Sequence, residues 1–208
     1  MKSPAEIMNL SPVIPVLVIE SADTAIALAR ALVEGGLRVL EVTLRSGAAL
    51  PSIAAIVKAL PDAVVGAGTV LNANDYKRAS DAGARFIVSP GITDPLLEAA
   101  RDGGIPLLPG VATAGEIMRG LDAGLTNFKF FPAESSGGAA AVKAFAGPFA
   151  QVRFCPTGGI TLSNARDYLA LENVLCVGGS WLAPKPLVAN KDWKAVTQLA
   201  SEAAALGK

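Results

Sequence analysis

The chain has 208 residues, is 51% hydrophobic, and balances 18 basic against 18 acidic residues without a single histidine. That length predicts one domain over residues 1–208 with a well-buried core. The cancelled charge excludes a broad positive field for nucleic acid or an anionic membrane, and the missing histidines argue against zinc-dependent and triad mechanisms.

No apolar run approaches the roughly 18 residues that a membrane-spanning helix needs, and the N-terminus lacks a secretory signal pattern. A cytoplasmic protein is expected. Cys155 and Cys176, each flanked by apolar residues, read as small buried hydrophobes in a reducing compartment rather than as a disulfide. The aromatic fraction is 5%, too low for a base-stacking platform.

In chain order, apolar β-branched runs predict strands at 13–19, 38–44, 63–67, 85–89, 105–108, 127–131, 152–156 and 174–178. The first helix follows an N-cap at Ser21 and carries Ala25, Leu28, Ala29, Leu32 and Val33 at helical spacing. Helix stops recur at Glu34-Gly35-Gly36, Asp81-Ala82-Gly83, Asp102-Gly103-Gly104 and Asp122-Ala123-Gly124. Eight strand-helix units in α/β order predict parallel pairing and a single (β/α)8 TIM barrel, with an open doubly wound sheet as the alternative.

The second strand reads Glu41-Val42-Thr43-Leu44-Arg45. Alternation directs Glu41, Thr43 and Arg45 to one face and the apolar residues to the other. Glu41 suits proton transfer and Arg45 suits binding of a carboxylate; an ion pair between them is the structural alternative. Gly66-Ala67-Gly68-Thr69 ends the third strand with small residues that would admit a ligand close to the backbone, or simply make a tight turn. Ser89-Pro90-Gly91, Pro109-Gly110, Phe131-Pro132 and Pro156-Thr157-Gly158-Gly159 end four further strands, at the face where such barrels carry chemistry.

In the sixth strand, Lys129 shares a face with Asn127 and Phe131, while Phe128 and Phe130 point to the helices. The other lysines fall in helices, loops or tails. Burial disfavours an ammonium and leaves more neutral amine to attack a carbonyl carbon; a structural lysine paired with a core carboxylate is the alternative. Thr157-Gly158-Gly159 and Gly178-Gly179-Ser180 are glycine turns after the seventh and eighth strands, where backbone amides and the Ser180 hydroxyl can cradle a phosphate. Thr161 to Asn164 reads as a helix cap, and Trp181 and Trp193 as packing residues.

With these residues assembled, the chain from Val13 to Ser180 resembles the class I 2-dehydro-3-deoxy-6-phosphogluconate (KDPG) and 4-hydroxy-2-oxoglutarate (KHG) aldolases. The resemblance is carried by Glu41-Val42-Thr43-Leu44-Arg45, Val65-Gly66-Ala67-Gly68-Thr69-Val70, Ser89-Pro90-Gly91, Phe128-Lys129-Phe130-Phe131-Pro132-Ala133-Glu134 and Arg153-Phe154-Cys155-Pro156-Thr157-Gly158-Gly159. It implies a lysine imine with pyruvate at Lys129, proton transfer by Glu41, and recognition of the pyruvate carboxylate by Arg45 and Thr69. It further implies phosphate binding at Gly158, Gly159 and Ser180, with Pro90, Phe131 and Thr157 lining the pocket.

The implied partners are a phosphorylated 2-keto-3-deoxy sugar acid, pyruvate and glyceraldehyde 3-phosphate, in a homotrimer that uses no metal or other cofactor. Galactonate-branch aldolases, and some members of the family that this chain resembles, place an arginine late in strand one, where this chain reads Val16-Leu17-Val18-Ile19. Two other classes compete: a phosphosugar isomerase or epimerase on the same barrel, and a non-catalytic phosphate-ligand binder. Enzymes of the first class on this fold commonly use metals or a pair of acids, and the second leaves a buried Lys129 opposite Glu41 unexplained.

Overall fold

The computed structural model describes residues 2–207. Its strands are β1 (Val13–Leu17), β2 (Val39–Thr43), β3 (Val64–Gly68), β4 (Ile87–Val88), β5 (Leu107–Leu108), β6 (Gly110–Val111), β7 (Asn127–Phe130), β8 (Arg153–Pro156) and β9 (Val177–Gly179). The α-helices are α1 (Pro4–Met8), α2 (Ala22–Glu34), α3 (Ala49–Ala59), α4 (Ala73–Asp81), α5 (Asp94–Gly103), α6 (Ala114–Asp122), α7 (Gly138–Phe145), α8 (Ala165–Leu169), α9 (Lys185–Ala189) and α10 (Trp193–Ala204). The expected alternation of strand and helix is present, and the ladders are parallel.

Six strands form one sheet in the order β5-β4-β3-β2-β1-β9, and three form another in the order β6-β7-β8. Isolated parallel bridges, Phe154 to Val174 and Thr157 to Gly178, tie β8 to the β9 segment. At the opposite edge, β5 and β6 are separated by Pro109 alone. Pro109 has no N–H to donate, but its carbonyl still accepts from the Lys129 N–H at 2.9 Å. The curled parallel sheet therefore brings its two parts face to face.

Several strand limits differ from expectation. β1 stops at Leu17 instead of 19, β4 keeps only Ile87–Val88, the fifth strand continues past Pro109 as β6, and the last runs 177–179. The helix stops hold: Gly36, Gly83, Gly104 and Gly124 all take positive φ. That left-handed turn returns the chain to the sheet with little steric cost only for glycine.

Period-two alternation sorts the core into two apolar layers. Val13, Leu17, Leu40, Val42, Val65, Ile87, Phe128, Phe130 and Phe154 belong to the layer shared with the helices. Ile14, Val39, Val64, Phe86, Val88, Leu108, Cys155 and Cys176 form a second cluster inside the curl of the sheet. Ile7 and Met8 of α1 join that inner cluster. This short helix is not among the sequence expectations, although Ser3 and Glu6 form a reciprocal capping box that marks its start.

Candidate active site

Glu41 is the middle residue of β2, in register with Val16 on one side and Gly66 on the other. Lys129 lies on β7 between Gly110 and Cys155. Both side chains project into the curl, and Lys129 Nζ lies 3.2 Å from Glu41 Oε1. Lys129 is 5% exposed and Glu41 3%, so the pair is shielded from water. Among the described residues Lys129 is the only buried lysine; Lys208 lies outside them.

A lone ammonium or carboxylate at this depth would be costly, and each group supplies the counter-charge that makes the other's burial tolerable. Phe131 completes the surround, with Nζ 5.3 Å from the ring centroid, a cation–π distance. Gly68 provides the space for the Glu41 carboxyl group, which lies directly over its Cα. The room at Gly66 is likewise filled by the Phe86 ring. These small residues make room for side chains of the neighbouring strands.

The polar face of the second strand divides. The Thr43 hydroxyl donates to the Leu17 carbonyl at 2.8 Å and is fully buried, so its proton is committed to the neighbouring strand. Arg45 falls beyond the end of β2 in an exposed turn. Its Nε donates to Thr69 Oγ1 at 3.1 Å, which brings these two predicted anion-binding residues together. The Glu41–Arg45 ion pair does not form, because Glu41 pairs with Lys129. Thr69 has φ +56°, a left-handed conformation uncommon outside glycine.

Pro90 is exposed at the end of β4, and its carbonyl packs on Gly110. Thr157 is 6% exposed, with its hydroxyl directed to the Cys155 carbonyl at 3.4 Å. Gly158 and Gly159 follow with φ +102° and +79°. Gly178 faces Thr157 and Gly179 carries the Trp181 ring, while Ser180 is exposed just after β9. The Thr157–Gly178 bridge thereby sets the Gly158-Gly159 turn and Ser180 on neighbouring strand ends.

Asn164 is the N-cap of α8, but its side chain makes no cap bond. Its Oδ1 accepts from the Thr161 N–H at 2.8 Å, and its Nδ2 donates to the Gly159 carbonyl at 3.1 Å. Trp181 and Trp193 pack against the outer core, as expected. Cys155 and Cys176 are both free and buried. Burial foremost, then contact with Cys155 and the nearby Glu41 charge, pushes the Cys176 thiol well above its ordinary pKa. Among the described residues, no three His, Cys, Asp or Glu side chains converge as a metal site would need, and no helix is long and apolar enough to cross a membrane.

One residue without an assigned role also meets this site. Glu134 accepts a hydrogen bond from the hydroxyl of Tyr168 on α8 and lies over Gly159. Burial, with the Glu134 carboxylate second, holds the Tyr168 phenol well above its ordinary range.

The model of the KDPG and KHG aldolase family matches residues 5–199. The chain belongs to that family. It is 55% identical over 203 residues to the KHG/KDPG aldolase of Escherichia coli K12, covering 97% of this chain and 95% of that protein. It is 54% identical over 203 residues to the 2-dehydro-3-deoxy-phosphogluconate aldolase of Dickeya dadantii, covering 98% and 95%. Among solved structures, a KDPG aldolase of Legionella pneumophila superposes with a TM-score of 0.96 at 46% identity, covering 98% of each chain; it holds pyruvate as a covalent carbinolamine. The buried lysine-carboxylate pair thus occurs in a family whose members include a pyruvate adduct of this chemical type.

Proposed function

We propose that this KDPG/KHG-family chain is a metal-independent class I aldolase, cleaving 2-dehydro-3-deoxy-6-phospho-D-gluconate into pyruvate and D-glyceraldehyde 3-phosphate through an imine on Lys129. The observation that carries this reading is the buried Lys129–Glu41 contact at 3.2 Å. We read residues 1–208 as one closed (β/α)8 domain. The Thr157–Gly178 bridge at one seam, chain continuity through Pro109 at the other, and the Lys129–Glu41 contact across the interior support closure.

In this mechanism, neutral Lys129 adds to the C2 carbonyl to form a carbinolamine, which loses water to an iminium. The iminium accepts the electron pair of the breaking C3–C4 bond while the C4 hydroxyl loses its proton and leaves as an aldehyde. The enamine then takes a proton at C3, and water hydrolyses the iminium to release pyruvate and restore the amine. Glu41, within hydrogen-bond reach of Nζ, is the group that moves these protons in a site without histidine. Arg45 and Thr69 bind the substrate carboxylate, Gly158, Gly159 and Ser180 the phosphate, and Pro90, Phe131 and Thr157 line the pocket between them.

Val16 is in register with Glu41 and opens the Val16-Leu17-Val18-Ile19 stretch in which galactonate-branch aldolases, and some members of this family, carry an arginine. 4-Hydroxy-2-oxoglutarate is the second substrate that the E. coli relative's name suggests. The reading includes a cytoplasmic homotrimer; free buried cysteines suit that compartment. Borohydride reduction with pyruvate should attach a three-carbon adduct at Lys129, located by peptide mass spectrometry. An adduct elsewhere, or none, would sink the reading. Pyruvate release from gluconate-derived, galactonate-derived and 4-hydroxy-2-oxoglutarate substrates, assayed side by side, ranks them.

A further inference from the structure

The Gly158-Gly159 turn is held from outside by Glu134. The Glu134 N–H donates to the Gly158 carbonyl at 3.1 Å, next to an Ala133 N–H to Thr157 carbonyl bond of 2.8 Å. The Glu134 methylenes cover Gly159 so closely that a Cβ added there would lie 2.5 Å from Glu134 Cγ. The carboxylate end is fixed by the Tyr168 hydroxyl, and Tyr168 is itself only 1% exposed on α8, the helix that follows this turn.

A free carboxylate beside an incoming phosphate would repel it. Tethering Oε1 to a buried phenol limits that carboxylate to one orientation while its methylenes shape the turn. We propose that Glu134 and Tyr168 act together as positioning residues for the substrate phosphate, setting the shape of the Gly158-Gly159 cradle without touching the reacting carbons. The inference rests on the reading of that turn as the phosphate site.

Steady-state kinetics on the phosphorylated 2-keto-3-deoxy acid and its unphosphorylated counterpart, together with pyruvate methyl-proton exchange, test it. Tyr168→Phe and Glu134→Ala should raise KM for the phosphorylated substrate about tenfold, the loss of one hydrogen bond to a charged group, with kcat retained. Their activity on the unphosphorylated substrate and their proton exchange should stay at the wild-type level. Glu134→Gln keeps both the methylenes and an acceptor oxygen for Tyr168, and should retain the wild-type KM.

Unchanged KM in both Tyr168→Phe and Glu134→Ala overturns the proposal, as does an equal loss on both substrates, which would indicate a general structural role. A Glu134→Gln variant as impaired as Glu134→Ala also overturns it. If Glu134→Ala does not fold, Tyr168→Phe, which lacks a single oxygen, decides the outcome. A wild-type enzyme that does not discriminate between the two substrates overturns the phosphate cradle itself, a result distinct from normal discrimination retained in the variants.

Discussion

Lys129 Nζ and Glu41 Oε1 stand 3.2 Å apart although 88 positions separate the residues in the chain. The lysine comes from the three-stranded sheet and the glutamate from the six-stranded one, so the contact exists only because the sheets face each other. Desolvating two charges costs several kcal/mol each, and replacing such a pair by apolar groups is often neutral or stabilising. Stability alone is therefore a weak reason for the pair. Imine chemistry, which needs an amine and a proton carrier in one dry place, is a stronger one.

Lys129→Ala should abolish turnover and, by leaving Glu41 as an unpaired buried charge, lower stability by about 3–5 kcal/mol. Adding Glu41→Gln should recover much of that stability while activity stays lost. Urea denaturation of the two variants and the wild type measures the coupling. Equal stability of the single and double variants would contradict an energetically linked pair.

Glu41→Gln alone should slow exchange of the pyruvate methyl protons by about 10²–10⁴-fold, the usual contribution of a positioned acid or base. Trapping of the Lys129 imine should persist, because the amine remains. Proton NMR in deuterated water follows the exchange, and wild-type rates would remove Glu41 from its proposed role.

Lys129 is legible in the sequence because a charged residue inside an apolar strand has few structural reasons to be there, and alternation puts Glu41 on a matching inward face. The Thr43 hydroxyl is not legible, since its direction depends on a Leu17 carbonyl supplied by the neighbouring strand. The same holds for Gly66 and Gly68, whose free space is taken by Phe86 and Glu41 from adjacent strands. The start of α1 is written in Ser3 and Glu6, but its packing of Ile7 and Met8 beneath the inner cluster is not, because local pattern carries no tertiary address. The split at Pro109 follows from a missing donor, whereas the continuation of pairing into Gly110–Val111 depends on β7.

Glu116 gives a pH-dependent test of the segment that leads out of β6. Burial acts to raise its carboxyl pKa, but hydrogen bonds from the Ala112 N–H, the Thr113 hydroxyl and the Thr113 N–H outweigh it and hold the value below the ordinary one. The folded state therefore binds this proton less readily than the unfolded chain. The resulting stabilisation is complete above the ordinary carboxylate range and disappears as the pH falls through the lowered folded value. Glu116→Gln should cost about 1 kcal/mol near neutral pH, a typical capping contribution, and should converge with the wild type in acid. A difference constant from neutral to strongly acidic pH would show that the charge is not responsible.

Gly68→Ala separates positioning of the acid from folding. The added Cβ would collide with the Glu41 carboxyl group, which rests on the Gly68 Cα. Gly68 is absent from the positive-φ residues, so alanine carries no left-handed backbone penalty there and the strain falls on Glu41. Displacement of Glu41 by about 1 Å should lower kcat about a hundredfold, the scale expected when a reacting group is misplaced. Circular dichroism should report a folded protein, and borohydride should still trap pyruvate on Lys129, because the amine itself lies on the opposite sheet. Wild-type kcat in a folded Gly68→Ala variant would mean that Glu41 moves aside without consequence, and that its observed position is not the one catalysis requires.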